Sequence, residues 1–455
     1  MKNLHKRIGT LMPLSSLAGK SSLADGMIFL DWLKKTKQSA WQLLPLHETQ
    51  LEPLPSTRHV PSPYKSYGIG LDPAYLPASF SKIFPTEKQK QIFIEDQGDW
   101  IHDYALFCAL RDFFKTDDWR TWDEDLKKRE TDALALWTKR LAKEIDRCIL
   151  VQWQLHRSYA KLRTKTKKLG IALIGDLPFY LSITSPLVWA HRKVFQLEAD
   201  GDMRRVSGIP DSSASHFGRQ VWGHPLYNWE KKYYKETVSL WELRLKYQAT
   251  LFDTIRIDHA RAIFSYGVID RFHESADTNV EGPGEKFLKE ILEYCRKQHL
   301  SIFVEDSGER LSPLRASLKK LGIPGIKILR FAFDEKREKI NKEYAETTNY
   351  PVKTVAYTTT HDTESLLDYI YKLNTNQKHV LAQAVGVAYQ SDDKIFAKLF
   401  RDRVLASPAY IIIIPIQDWL LTTERINIPG TELAVNEPNW RFHLNTPIEK
   451  LPTTF

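Results

Sequence analysis

Cysteine is scarce. Three residues in 455 (Cys108, Cys148 and Cys295) cannot build a disulfide framework. Cys108 and Cys148 fall in helix-like stretches, a pattern that predicts buried, reduced thiols in a cytoplasmic protein. Long apolar runs are also missing. The opening residues, Met1 to Arg7, lead into nothing long enough for a secretory signal or for the roughly 20-residue span that a membrane requires. Internal repeats and low-complexity tracts are not visible, so nothing argues for a repeat array. Nucleic-acid recognition motifs are absent as well, although 65 basic against 56 acidic residues leave a net charge of +9. The lysines concentrate between Leu126 and Lys168, interleaved with Glu130, Asp132, Glu144 and Asp146. That mixture reads as a solvated helical face, and no nucleic-acid or membrane partner is expected.

What is present is a set of short β-rich runs that stop at acidic residues. Ile174-Gly175-Asp176, Ile255-Arg256-Ile257-Asp258-His259, Ile302-Phe303-Val304-Glu305-Asp306 and Val355 through His361-Asp362 share this form. A carboxylate where such a run ends stands at the strand's carboxyl end. Several such ends converging on one mouth describe the active face of a parallel barrel. Strand-like runs are read at Ala40–Leu46, Gly70–Leu76 (weakly), Ile171–Leu177, Thr254–Asp258, Ser301–Glu305, Ile326–Phe333, Thr354–Thr360 and Tyr410–Pro415. Helical patterns lie between most of them, as at Gly284–Gln298 and Leu314–Leu321. Eight strands alternating with helices predict an α/β fold, a (β/α)8 TIM barrel with helical insertions. The expected layout is one catalytic barrel domain over 1–455. A helical insertion is expected at 79–168, and a second insertion on the active-site face at 207–250.

Arg256 and Asp258 are two residues apart, so a strand projects both to one side, into the barrel mouth. A guanidinium at that distance favours an ionised Asp258, as a nucleophile requires, although Arg-x-Asp also fits a structural ion pair. Glu305, near another negative group in a partly dry cleft, is expected to hold a proton near neutrality. Two carboxyls in opposed environments are the machinery of glycoside cleavage. Asp362 is a candidate stabiliser of positive charge, and His259 and His361 are candidate donors to substrate hydroxyls. A structural hydrogen bond also explains the His361-Asp362 pair, and a helix cap explains Asp306. Tyr64, Tyr67, Trp189, Trp222 and Tyr227 lie in loop-like contexts, where aromatic planes can pack on sugar rings or anchor loops.

Taken together, several motifs resemble the 4-α-glucanotransferases (amylomaltase, or disproportionating enzyme), glycosidase family 77 within the α-amylase clan. They are Trp41-Gln42-Leu43-Leu44-Pro45-Leu46, Ser62-Pro63-Tyr64, Ile174 to Tyr180, Val221 to Tyr227, Arg256 to His259, Glu305 to Gly308, Thr360-His361-Asp362, Asn427 to Thr431 and Asn439-Trp440-Arg441. The resemblance implies Asp258 as nucleophile, Glu305 as acid/base and Asp362 as transition-state stabiliser. Arg256 would orient Asp258, and Asp176, His259 and His361 would bind sugar at the cleavage point. Tyr64 and Trp222 would stack on either side. It implies malto-oligosaccharide and α-1,4-glucan substrates, no organic cofactor and no metal. Oligomeric state is left open. The chain departs from the family pattern at Ser307, where Leu is usual, at Thr363-Glu364-Ser365, in Ser212–Gln220 and in Ser15–Gly26. A hydrolase on the same barrel and a non-catalytic glucan-binding protein are the competing readings. A His-Asp metal phosphohydrolase fits poorly, because a β-rich run precedes His361.

Overall fold

Short β-prone runs pair side by side in one parallel sheet: β1 (Arg7–Leu11), β2 (Ala40–Gln42), β3 (Ala172–Leu177), β4 (Thr254–Ile257), β5 (Ser301–Val304), β6 (Gly325–Ile328), β7 (Thr354–Tyr357) and β8 (Ile411–Pro415). The structure, a computed structural model, describes residues 6–20, 22–51, 62–210, 218–335, 337–431 and 439–455. Each strand pairs with its sequence neighbour except β5 with β6, and β8 returns to β1. At the β5–β6 seam the Val304 amide donates to the Pro324 carbonyl at 3.0 Å, which nearly closes the ring. Helices surround it, so the fold is a (β/α)8 barrel.

Two layers of apolar side chains explain the strand sequences. In β8, Ile411 and Ile413 join Leu11, Ile174, Phe303 and Val355 inside the barrel, while Ile412 and Ile414 pack on the outer helices. An unbroken apolar run is what a strand covered on both faces needs. In β4, Ile255 and Ile257 face the helices and free Arg256 for the interior. Helix Gly284–Lys297 buries Phe287, Leu288, Ile291, Leu292 and Cys295, one stripe at helical spacing. All three cysteines are unpaired, Cys108 and Cys295 buried and Cys148 half-buried.

The barrel has eight strands as expected, but not the same eight. Gly70–Leu76 is not a strand: Asp72 caps a single 3₁₀ turn at Pro73–Tyr75, accepting from the Ala74 amide at 2.8 Å. Pro73 suits the start of such a turn and cannot donate to a ladder. The missing strand is β1, near the N-terminus. Between β2 and β3 the chain passes through helices Glu87–Asp96, Ile101–Phe114, Glu124–Lys128, Thr131–Arg140 and Ala142–Leu169. A second, antiparallel sheet was not foreseen. Its strands run in the order Gln220–Pro225, Arg205–Ile209, Ser265–Asp270, Thr278–Glu281. Parts of several expectations fall outside the described residues: 1–5 at the opening, 21 in Ser15–Gly26, 52–61 in the loop before Tyr67, and 211–217 in the second insertion.

Candidate active site

The carboxyl ends of β4, β5 and β7 deliver Asp258, Glu305 and Asp362 to one cleft of about 1070 Å³, whose walls also include Tyr64, Trp222 and Arg256, while β3 sets Asp176, fully buried, behind Arg256. Arg256 is the centre of the arrangement. It points inward from β4, 5% exposed, and its single guanidinium meets three carboxylates. Nη1 donates to Asp176 Oδ1 and Oδ2 at 2.8 and 2.7 Å and lies 2.9 Å from Asp258 Oδ1. Nη2 donates to Glu305 Oε2 at 2.8 Å. A planar fork can hold several oxygens in fixed geometry, which a point charge cannot.

Glu305 is held from further sides. The His259 amide donates to Oε2 at 2.9 Å, and the Ser307 hydroxyl donates to Oε1 at 2.7 Å. His259 itself is left-handed, at φ 45°, in the sharp turn that follows β4. Such backbone costs on the order of 1–3 kcal/mol in a non-glycine residue and persists where surrounding structure over-determines it.

Asp362 follows β7. His361 Nε2 stands 3.1 Å from its Oδ2, and Asn427 Nδ2 donates to its Oδ1 at 2.7 Å. The β7 loop is anchored by buried Asp418, in the short helix Ile416–Leu420 that follows β8. That carboxylate accepts from the Thr358 and Thr359 hydroxyls at 2.5 and 2.6 Å and from the Leu366 amide at 2.7 Å. Tyr64 closes the ring of contacts: its hydroxyl donates to Asp176 Oδ2 at 2.9 Å and lies 2.7 Å from His361 Nε2. Trp222 sits on the antiparallel sheet edge-on to His259, with ring centroids 4.6 Å apart. Thus all nine residues singled out from the sequence come together.

The electrostatics differ from expectation. Burial, reinforced by the charges of Glu305, Asp176 and Asp362, pushes Asp258 well above the usual carboxylate range, although Arg256 opposes it. Burial also works against the Glu305 charge, but Arg256, Ser307 and the His259 amide outweigh it and hold that carboxyl low. The order is the reverse of the expected one: the surroundings favour a proton on Asp258 over one on Glu305. Asp362 is held low: burial opposes its charge, but His361, Asn427 and Arg256 prevail. Burial lowers His259 to about 3, which keeps the ring neutral.

Three of the loop aromatics do not face the cleft. Trp189 is buried and donates to the Leu126 carbonyl, Tyr67 donates to Asp117, and Tyr227 donates to the Phe179 carbonyl. They anchor loops. Asp306 does not cap a helix: it accepts from the Ile326 amide and pairs with Arg315, tying β5 to β6. Asn427 and Trp440 were legible as motif members without a role. Asn427 touches Asp362, and Trp440 stands 5.8 Å from Tyr64, contacts that no local spacing announces. Among the described residues no group of three His, Cys, Asp or Glu is arranged to hold a metal ion. No helix among them is long and apolar enough to cross a membrane.

Carboxyl groups gathered from four strand ends around one buried arginine define the class: a (β/α)8 enzyme equipped for nucleophilic and acid–base chemistry. A family model described as 4-alpha-glucanotransferase matches residues 71–448. The 4-alpha-glucanotransferase of Aquifex aeolicus is 30% identical, over 96% of this chain and 95% of its own. That of Thermus thermophilus is 30% identical over 97% and 95%. Among solved structures, the amylomaltase from Streptococcus agalactiae in complex with acarbose superposes with a TM-score of 0.84 at 24% identity, covering 97% of this chain and 96% of that one. The chain belongs to the 4-alpha-glucanotransferase family, and it is a glucan-transferring enzyme.

Proposed function

We propose that the chain moves segments of α-1,4-glucans and malto-oligosaccharides by a retaining double displacement. Asp258 attacks the anomeric carbon while Glu305 gives its proton to the departing glycosidic oxygen. Glu305 then takes the proton of an acceptor 4-hydroxyl as that oxygen displaces Asp258 and restores an α-1,4 link. Asp362 stabilises the positive charge that develops on the ring.

The observation that carries this reading is the shared guanidinium. Asp258 and Glu305 lie on neighbouring nitrogens of Arg256, which suits the close pairing of about 5–5.5 Å used in retention better than the 6.5–9.5 Å of inversion. Burial and the neighbouring carboxylates favour a proton on Asp258 over one on Glu305. Reaction requires it on Glu305, and a glycosidic oxygen at Oε1 is the acceptor that favours the exchange. The His259 ring lines the cleft, and its Nε2 is buried without a hydrogen-bond partner among the described residues, a need that a sugar hydroxyl would meet.

Incubation with maltotriose tests the proposal. Glucose together with longer oligosaccharides is expected, and Asp258→Asn should abolish both. Maltose and glucose alone would make the chain a hydrolase, and residual turnover in Asp258→Asn would remove the nucleophile assignment.

A further inference from the structure

The two oxygens of Glu305 are not equivalent. Oε2 accepts from Arg256 Nη2 at 2.8 Å and from the His259 amide at 2.9 Å. Neither donor can turn round: a guanidinium keeps its protons and a backbone N–H has no acceptor to offer. A proton on Oε2 would face two fixed donors, so a proton carried by Glu305 belongs on Oε1. The partner of Oε1 is the Ser307 hydroxyl at 2.7 Å, brought back toward the carboxyl by the turn at Gly308, which has φ 97°. A hydroxyl, unlike the other two donors, can rotate and both gives and accepts a hydrogen bond.

We infer that Ser307 is a positioning residue for the acid/base carboxyl, donating to Oε1 whenever Glu305 is ionised and turning away or accepting when Oε1 carries the proton. The inference rests on the acid/base reading of Glu305. In the first half-reaction the Oε1–H bond breaks and its proton joins the leaving glycosidic oxygen, which keeps the electron pair of the broken C–O bond. The carboxylate left behind takes the Ser307 hydrogen bond. In the second half-reaction the acceptor hydroxyl returns a proton to Oε1, and the Ser307 hydrogen is displaced again.

The other groups facing Glu305 stay fixed through this exchange. They are Arg256, Asp258, His259 and Arg261 on and after β4, and Tyr357 from β7, with Asp176 behind Arg256. Removing the Ser307 hydroxyl therefore subtracts one donor to the charged form and nothing else. The limb of the pH profile above which Glu305 has lost its proton should move upward, by about half to one pH unit for a single hydrogen bond.

The test is kcat against pH, which reports the groups of the substrate complex in which Glu305 carries the proton, for the parent, Ser307→Ala and Ser307→Thr, on maltotriose and on α-glucosyl fluoride, whose leaving fluoride needs no proton donor. Ser307→Ala should shift the basic limb upward on maltotriose and far less on the fluoride, while Ser307→Thr should match the parent. Ser307→Cys, a weaker donor, should shift it less and serves if the alanine variant misfolds. A basic limb in Ser307→Ala that coincides with the parent's overturns the inference alone. Glu305→Gln separates the underlying reading: it should lose maltotriose turnover yet still consume the fluoride. Losing both or neither would remove the acid/base role and the Ser307 role with it.

Discussion

Asp258 sits in a field that works against its own charge. From Arg-x-Asp spacing alone, an ionised Asp258 follows, because the nearest charge is Arg256. The fold shares that guanidinium with Asp176 and Glu305, which are 80 and 49 residues from Arg256 in sequence. Proximity of that kind leaves no local signature, so the residues were legible and their protonation was not. The consequence for stability has a definite sign. A carboxyl whose folded value is raised costs the fold stability as pH climbs through the unfolded value near 3.9 toward the folded one. At pH 7 the Asp258 charge is therefore a burden on the fold, and Asp258→Asn, a neutral shape-mimic, should raise Tm there by about 1–2 °C. The difference should close below about pH 4, where both side chains are neutral. Thermal scans at pH 7 and pH 3.5 check this; a lower Tm for the variant at pH 7 would mean that the Arg256 pair outweighs burial.

Elements were legible where burial left a long imprint. The four acid-ended runs and Ile411–Ile414 carry enough apolar, β-branched character to be strands on sight, and with the runs Ala40–Leu46 and Ile326–Phe333 they locate seven of the barrel's eight. β1 was missed because Arg7-Ile8-Gly9-Thr10-Leu11 is brief and interrupted by glycine. The small sheet hid for the same reason, with Gly208 and Gly267 at its crossing points. Glycine inside a strand is a weak strand signal yet marks a close backbone approach. At Gly9 a Cβ would stand 2.3 Å from the Ala40 carbonyl oxygen on β2. Backbone cannot swing aside as a side chain can. Gly9→Ala should therefore force β1 and β2 apart and cost about 1–3 kcal/mol, read as a lower urea midpoint with an unchanged slope. An unchanged midpoint would show that the barrel yields at this seam.

At the scale of the molecule, the helices between β2 and β3 and the barrel share a single apolar cluster. Phe107, Trp122 and Trp189 connect through it to Trp41, Ile255 and Ile257. The same helices also hold the loop that carries Tyr64. On helix Ile101–Phe114, Tyr104 donates to Glu48 at 2.9 Å, and Arg111 pairs with Glu48 at 2.5 Å and reaches the Tyr67 hydroxyl at 3.4 Å. The Tyr67 amide in turn donates to the Glu48 carbonyl. These contacts pin the two ends of the loop that carries Tyr64, so an aromatic wall of the cleft depends on a helix outside the barrel. A segment with its own core would open alone, whereas one sharing a core opens with its partner. Native-state hydrogen exchange followed by mass spectrometry should find peptides from 101–114 and from β3 merging into one opening reaction as denaturant rises. If the helix instead exchanges at much lower denaturant while β3 stays protected, the helical segment is an independent unit, and Tyr64 would then be held by a support that can loosen without unfolding the barrel.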